Sequence, residues 1–266
     1  MGVISVGELC KDKRYQVVMP VHPKDHTKLS YIIERVFWFT EASAIHIMAY
    51  DPVGVHNSFS PDSRVHVHDE HSILPESRGI FPDIRQGQGW YFQQFLELFQ
   101  DVTDTDWYIG LNCDLLFNSP YPVFKDGRPV QVLSRDKNSQ REHYNPFNRA
   151  MFGPTFADAP WNYLSDASLY NKRITRQMAE SLGYDVAGFM RRSAELINLK
   201  HTPGDANLYM HYVHNVYPSL YRLAELSNAM NGLYNGGIWS RDKIDAAILL
   251  NRDAATISFH TWGLIK

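Results

Sequence analysis

The chain has 266 residues, 44% of them hydrophobic, and a formal net charge of −3. That length and apolar content allow one sizeable core, or two halves sharing a sheet, with no linker between them. The slight acidity argues against a nucleic-acid or anionic-membrane partner held by bulk charge, because such binding needs clustered Lys and Arg.

Tyr15 to Val21, YQVVMPV, is a β-branched run that reads as a first buried strand. His22, Pro23, Lys24 and Asp25 follow as a loop. Leu29, Ile32, Ile33 and Val36 recur at helical spacing and predict an amphipathic helix from about Thr27 to Thr40. Ala44 to Tyr50 is a second strand stopped by Asp51-Pro52, and Val65 to His68 is a third. Strand, helix, strand with short connections predicts a parallel sheet whose ligands gather beyond the carboxyl ends of its strands.

The third strand runs into HVHDEH, which holds His66, His68 and His71. His-x-His-x-Asp-His is a dinuclear-zinc signature of metallo-hydrolases, but Glu70 replaces the Asp and no obvious helix follows. A zinc-dependent hydrolase is therefore an alternative reading, set against a solvated strand end. Gly87 to Phe99, GQGWYFQQFLELF, predicts a helix with Phe92, Phe95, Leu96 and Phe99 on its core stripe. Trp90, Gln93, Gln94 and Glu97 fall on another, less buried face, where Trp90 could stack on a ring and the glutamines bond it.

Trp107 to Asn118, WYIGLNCDLLFN, is the stretch around which the chain is organised. Tyr108, Ile109 and Leu111 read as a buried strand, and Leu115 to Phe117 as a second apolar segment. The Asn112-Cys113-Asp114 step breaks both patterns. A carboxylate where a strand ends is poorly solvated unless it meets a cation or donor, so Asp114 reads as a ligand.

Beyond it come a Pro- and Gly-rich segment, a strand-like VQVLS, and a polar stretch, Arg135 to Asn148, without periodicity. Such a stretch predicts a lid or substrate loop. Ser165-Asp166 interrupts the next apolar approach, and Ile174, Met178 and Leu182 continue as a helix. Val186 to Leu199 predicts another helix. Pro203-Gly204-Asp205 opens a third, with Asp205 placed as its N-cap. ISFHTWGLIK closes the chain as an edge strand carrying His260. Two cysteines, Cys10 and Cys113, are too few for a stapled secreted domain. With neither a signal peptide nor a spanning run visible, a soluble, cytoplasmic protein is expected.

Several of these segments, in order, resemble one family: the strand ending after MPV, GWYFQQFLEL, LNCD in place of Leu-Asp-x-Asp, SDASLYNKRI, GDANLYMHYV and SFHTW. Together they look like bacterial and viral glycosyltransferase-like proteins of the GT-A fold. The resemblance implies a Rossmann-like α/β single domain over 1–266 with a mixed, mainly parallel central sheet flanked by helices. A nucleotide-sugar half would span about 14–130 and an acceptor half about 131–266.

It also implies a metal-dependent, inverting transfer from a nucleotide-sugar donor, UDP-linked by default, to a glycan or lipid-linked saccharide. Asp114 matches the closing Asp of the Asp-x-Asp motif, and His260 the C-terminal His that completes a Mn2+ or Mg2+ site. Asn112 stands where the family has its first Asp and is expected in the metal set with Asp114 and His260, able to bond a ribose or a metal-bound water; Glu97 stands where the family usually has Lys, so it receives no donor role. The donor edge is expected at Pro20, His22, Asp25, Arg85, Trp90 and Gln94, joined by Asn112 and Asp114. Asp205 is the candidate general base and Asp166 the second candidate. Under retention of configuration Asp205 would revert to a cap. A catalytically silent glycan-binding protein is a further alternative, suggested by Asn112 and Glu97.

Overall fold

The computed structural model describes residues 3–75, 79–80, 87–133, 141–163, 166–224, 240–252 and 254–259. The chain enters through α1 (Val6–Leu9), β1 (Tyr15–Val21) and a 3-10 turn (Pro23–Asp25), then α2 (His26–Phe39), β2 (Ile45–Ala49) and α3 (Pro52–His56). β3 (Val65–Asp69), α4 (Glu70–Ile73), α5 (Gly87–Phe99) and β4 (Trp107–Leu111) follow. Past the acidic step come β5 (Leu115–Phe117), β6 (Phe124–Lys125), β7 (Arg128–Val132), α6 (Arg141–Phe152) and β8 (Ala167–Asn171). α7 (Lys172–Ser181), α8 (Val186–Asn198), α9 (Asp205–Val216), β9 (Arg222–Ala224), α10 (Arg241–Leu250) and β10 (Thr256–Ser258) complete the elements.

The central sheet runs β3-β2-β1-β4-β8. β3, β2, β1 and β4 are mutually parallel, and β8 joins antiparallel at the edge. Every residue of β1, β2, β4 and β8 is buried. Both faces are therefore covered, which is why β1, β2 and β4 read as near-continuous apolar runs and not as alternation. β10 pairs antiparallel with β5, which sets Thr256–Ser258 beside the acidic step. The β6–β7 hairpin turns through Asp126 and Gly127, both at positive φ (49° and 78°), the Asp-Gly pairing that a two-residue hairpin turn favours. Among the described residues, no helix is long and apolar enough to cross a membrane.

Three expectations change. Part of the polar stretch 135–148 belongs to α6, whose Arg, Glu, His, Asn and Pro content hides its apolar face of Tyr144, Phe147, Met151 and Phe152. SLYN is not a helix approach but the edge strand β8, and Asn171 then caps α7 by accepting from Arg173 N at 3.0 Å. Asp205 is not the N-cap of α9: Gly204 occupies the cap position and Asp205 is the first helical residue.

Candidate active site

By its register, one face of the sheet presents Gln16 and Val18 of β1, Tyr108 and Gly110 of β4, and Ser168 and Tyr170 of β8. α5 lies on this face, and Gly110 is what allows the approach. A Cβ there would stand 2.7 Å from Tyr170 Cε2 and 2.9 Å from Glu97 Oε2, so a side chain cannot be fitted without moving one of them. The face of α5 expected to be the wetter one therefore points inward. Gln94 is 7% exposed and Glu97 4%, while Phe92, assigned to the core stripe, is half-buried. α5 is thus buried on two sides: Phe95, Leu96 and Phe99 lie in the apolar core as their spacing predicts, while Gln94 and Glu97 meet a polar interior.

That interior is a carboxyl pair. Glu97 and Asp205 are hydrogen-bonded to each other. Tyr170 Oη donates to Asp205 Oδ2 at 2.7 Å, and Gln94 Oε1 accepts from the Asp205 backbone N–H at 3.0 Å. Burial first, then the Asp205 carboxylate, holds the Glu97 carboxyl well above the usual range. Burial also raises Asp205, opposed by the hydrogen bonds from Tyr170 and the Ala206 amide. Two carboxylates side by side in a buried site cannot both ionise cheaply. Asp205 has the Tyr170 phenol and the positive end of α9 beside it, both of which favour its charged form.

A hydrogen-bonded chain runs from this pair to the acidic step. Gln93 Nε2 donates to Glu97 Oε1 at 3.2 Å and to Asn112 Oδ1 at 3.1 Å. Asn112 Nδ2 donates to Asp166 Oδ1 at 3.2 Å, its backbone N–H donates to the Asp166 carbonyl at 2.8 Å, and Ser258 Oγ donates to Asp166 Oδ2 at 2.8 Å. At the carboxyl end of β4, Asn112 thus links α5 to Asp166, the residue before β8, and Asp166 in turn holds Ser258 of β10. Both ends of its amide are engaged in doing so.

On the other side of the step, the loop after β1 converges with the turn between β4 and β5. Asp25 pairs with Lys28 at 2.7 Å, and Lys28, only 1% exposed, also donates to the Phe259 carbonyl at 3.4 Å. Phe259 N in turn donates to the Asp114 carbonyl at 2.6 Å. Burial, then Asp25, pushes the Cys113 thiol up, with Asp114 adding to the rise and Lys28 opposing it. These groups therefore share one neighbourhood. Beside it runs an aromatic row: His22 stacks on Tyr50 (5.8 Å), Tyr50 meets His71 edge-on (5.8 Å), and His71 stacks on Phe92 (6.3 Å). Tyr50 is 56% exposed.

The sequence-predicted residues fall as follows. Asp25, Asn112, Asp114, Asp166 and Asp205 border this one region, and Gln94 fixes the start of α9. Pro20 is buried within β1 opposite Met48. Trp90 is half-buried against the edge of Tyr91 (4.9 Å). Arg85 and His260 lie outside the described residues. His66 and His68 share a sheet face with His46, whose Nδ1 is 3.0 Å from His68 Nε2 and whose Nε2 is 3.1 Å from Gln16 Oε1. Burial, then His68 and His66, pushes the His46 pKa down to about 4, so its ring is neutral. His71 stands apart from them in the aromatic row.

Among the described residues, no three His, Cys, Asp or Glu side chains converge to hold a metal ion, so neither a pre-built zinc centre at HVHDEH nor a closed site at the step is formed from them. What the step offers is one partly buried carboxylate, Asp114, in a turn beside Phe259. That donor set fits a hard divalent ion of the Mg2+ or Mn2+ kind, which takes one or two protein carboxylates and fills its sphere with phosphate oxygens and water.

A mainly parallel α/β sheet with an antiparallel edge strand, flanked by helices and carrying its acidic step at the carboxyl end of β4, is the GT-A fold. Galactosyltransferase LgtC in complex with donor and acceptor sugar analogues is similar at a TM-score of 0.51 and 14% identity, over 94% of this chain and 88% of that one. An active-site mutant of LgtC is similar at 0.51 and 13%, over 92% and 86%. Mouse xyloside xylosyltransferase 1 in its apo form gives 0.47 and 10%, over 95% and 100%. No protein-family model and no curated protein sequence matches the chain.

Sequence reasoning missed Gly110, Tyr170 and the inward role of Glu97. Only Gly110 left a signal: a lone glycine in a buried strand pattern marks a close approach.

Proposed function

We propose that this protein is a metal-dependent glycosyltransferase that moves a sugar from a nucleotide-sugar donor to a glycan or glycolipid acceptor with inversion. The observation that carries the reading is the half-buried Asp205 carboxylate, tied through Glu97, Gln93 and Asn112 to the acidic step of a GT-A fold. The similarity to LgtC supports sugar transfer, and the donor and acceptor analogues bound there support the same two classes of ligand here.

In this reading the donor half, about 14–130, receives the nucleotide at the carboxyl ends of β1 and β2. Pro20 stiffens the end of β1 ahead of the loop, His22 and Tyr50 offer stacking faces, Asp25 holds the loop through Lys28, Arg85 and Trp90 shape the edge, and Gln94 supports it from within by fixing the start of α9. Asp114 and His260 would hold the divalent ion, with Asn112 orienting the step through its hydrogen bonds. When bound, the ion supplies positive charge to the departing diphosphate.

In the acceptor half, about 131–266, Asp205 accepts the proton of the acceptor hydroxyl as that oxygen bonds to the anomeric carbon. The bond from that carbon to the diphosphate breaks, and the nucleoside diphosphate leaves with the electron pair. Burial raises the proton affinity of Asp205, which suits a general base working near neutral pH. Asp166 braces the acceptor side through Asn112 and Ser258. The two free thiols, Cys10 and Cys113, go with a reducing, cytoplasmic setting.

Incubation with a panel of nucleotide sugars and Mn2+ tests the reading. Slow donor hydrolysis, lost when the ion is chelated, is the expected result. Inertness towards every donor would remove it.

A further inference from the structure

Glu97 has no part in the reaction as drawn, yet it is one of the most buried acidic groups of the described chain. It stands over the one β4 position without a side chain. Its Oε1 accepts from Gln93 Nε2 at 3.2 Å, and its other contact is the Asp205 carboxyl. Asp205 meanwhile accepts from the Tyr170 hydroxyl at 2.7 Å and lies at the first turn of the 12-residue helix α9. A carboxyl beside a carboxylate that already has two kinds of donor is favourable only if it, too, is a donor.

We propose that Glu97 is a positioning residue: a neutral carboxylic acid whose O–H, on Oε2, donates to Asp205 and aims its free oxygen at the acceptor hydroxyl. The proposal rests on the reading of Asp205 as the base. The pair then carries one negative charge, all of it on Asp205. During transfer Asp205 takes the acceptor proton while Glu97 keeps its own, so the site goes from one charge to none and never to two.

The titratable groups facing the pair fit this division. Tyr170 comes from β8, Asp166 from the residue just before it, Tyr108 from β4 and Tyr144 from α6. The tyrosines stay neutral, since burial raises each of their hydroxyls. Asp166 is a carboxylate and adds to the reasons for Glu97 to hold its proton. A lysine at this position would neutralise Asp205 as an ion pair, whereas a neutral acid leaves it a net charge with which to pull a proton.

The test compares melting temperatures of the full chain and its variants from pH 5 to pH 9. A carboxyl whose folded pKa is raised contributes stability that is present below its unfolded value and lost as pH rises towards its folded value. The wild type must therefore weaken relative to Glu97→Gln, whose amide donates without titrating, and the gap should widen steadily with pH. Parallel profiles would overturn the proposal. So would a gap that opens for Asp205→Asn and not for Glu97→Gln, because the proton would then sit on the other carboxyl.

Kinetics supply the second arm. Glu97→Leu should lower kcat on the order of a hundredfold with little change in donor KM, as for a base aimed wrongly. Glu97→Gln should recover most of that loss and flatten the alkaline limb of the wild-type profile. If Gln and Leu are equally impaired, the hydrogen bond is not what matters and the proposal fails. If wild type turns over no donor at all, the glycosyltransferase reading falls on its own, and the melting profiles still decide who holds the proton.

Discussion

Asp205→Asn is expected to reduce sugar transfer by about 10²–10⁴-fold, the usual contribution of a positioned base, while the protein folds and binds nucleotide as before. Asn has the same shape, and its carbonyl can still accept from the Tyr170 hydroxyl, which now donates to Asp205 at 2.7 Å. What it lacks is the ability to take a proton. The check is a single-turnover assay beside a thermal melt and a nucleotide titration. Full activity in the variant would mean that no base acts at this position, as in transfer with retention.

Gly110→Ala should be the most damaging one-carbon change in the sheet. The new methyl would lie 2.7 Å from the Tyr170 ring and 2.9 Å from Glu97 Oε2. Tyr170 cannot swing aside, because it is packed against Tyr108 (5.5 Å) and edge-on against Tyr209 (5.1 Å). Overpacking of this kind costs about 1–3 kcal/mol, seen as a melting point lowered by several degrees. Because both displaced groups contact Asp205, transfer should fall further than stability alone explains. Gly7→Ala, where an added Cβ meets nothing within 4 Å, is the control and should melt like wild type. Equal behaviour of the two variants would show that α5 does not rest on β4 as described.

The contrast between these positions shows what could be read in the chain. β1, β2 and β4 were legible because a parallel strand buried on both faces needs unbroken β-branched and aromatic residues. α2 was legible because Leu29, Ile32, Ile33 and Val36 mark one face. β8 was not, since Ser168, Tyr170 and Asn171 look polar until their partners are known: Tyr170 answers Asp205, and Asn171 caps α7. α6 was hidden by charged and amide residues around a narrow apolar face.

The acidic step and Asp205 were picked out singly from sequence, but what links them was not. Asn112 and Asp166 are 54 residues apart, and Gln94 and Asp205 are 111 apart, separations at which pairings of amides with carboxylates leave no periodicity. Glu97 illustrates the cost. On helical spacing it belongs to a wetter face, and only the absence of a side chain at Gly110 shows that this face is turned inward.

The most direct measurement is a calorimetric titration of nucleoside diphosphates into wild type and Asp114→Ala, each with and without Mn2+. Binding that requires the ion, and that weakens about tenfold or more in the variant, is the result expected if Asp114 carries the metal under the leaving diphosphate. Binding of equal strength in both proteins, or none by wild type with any base, would contradict it.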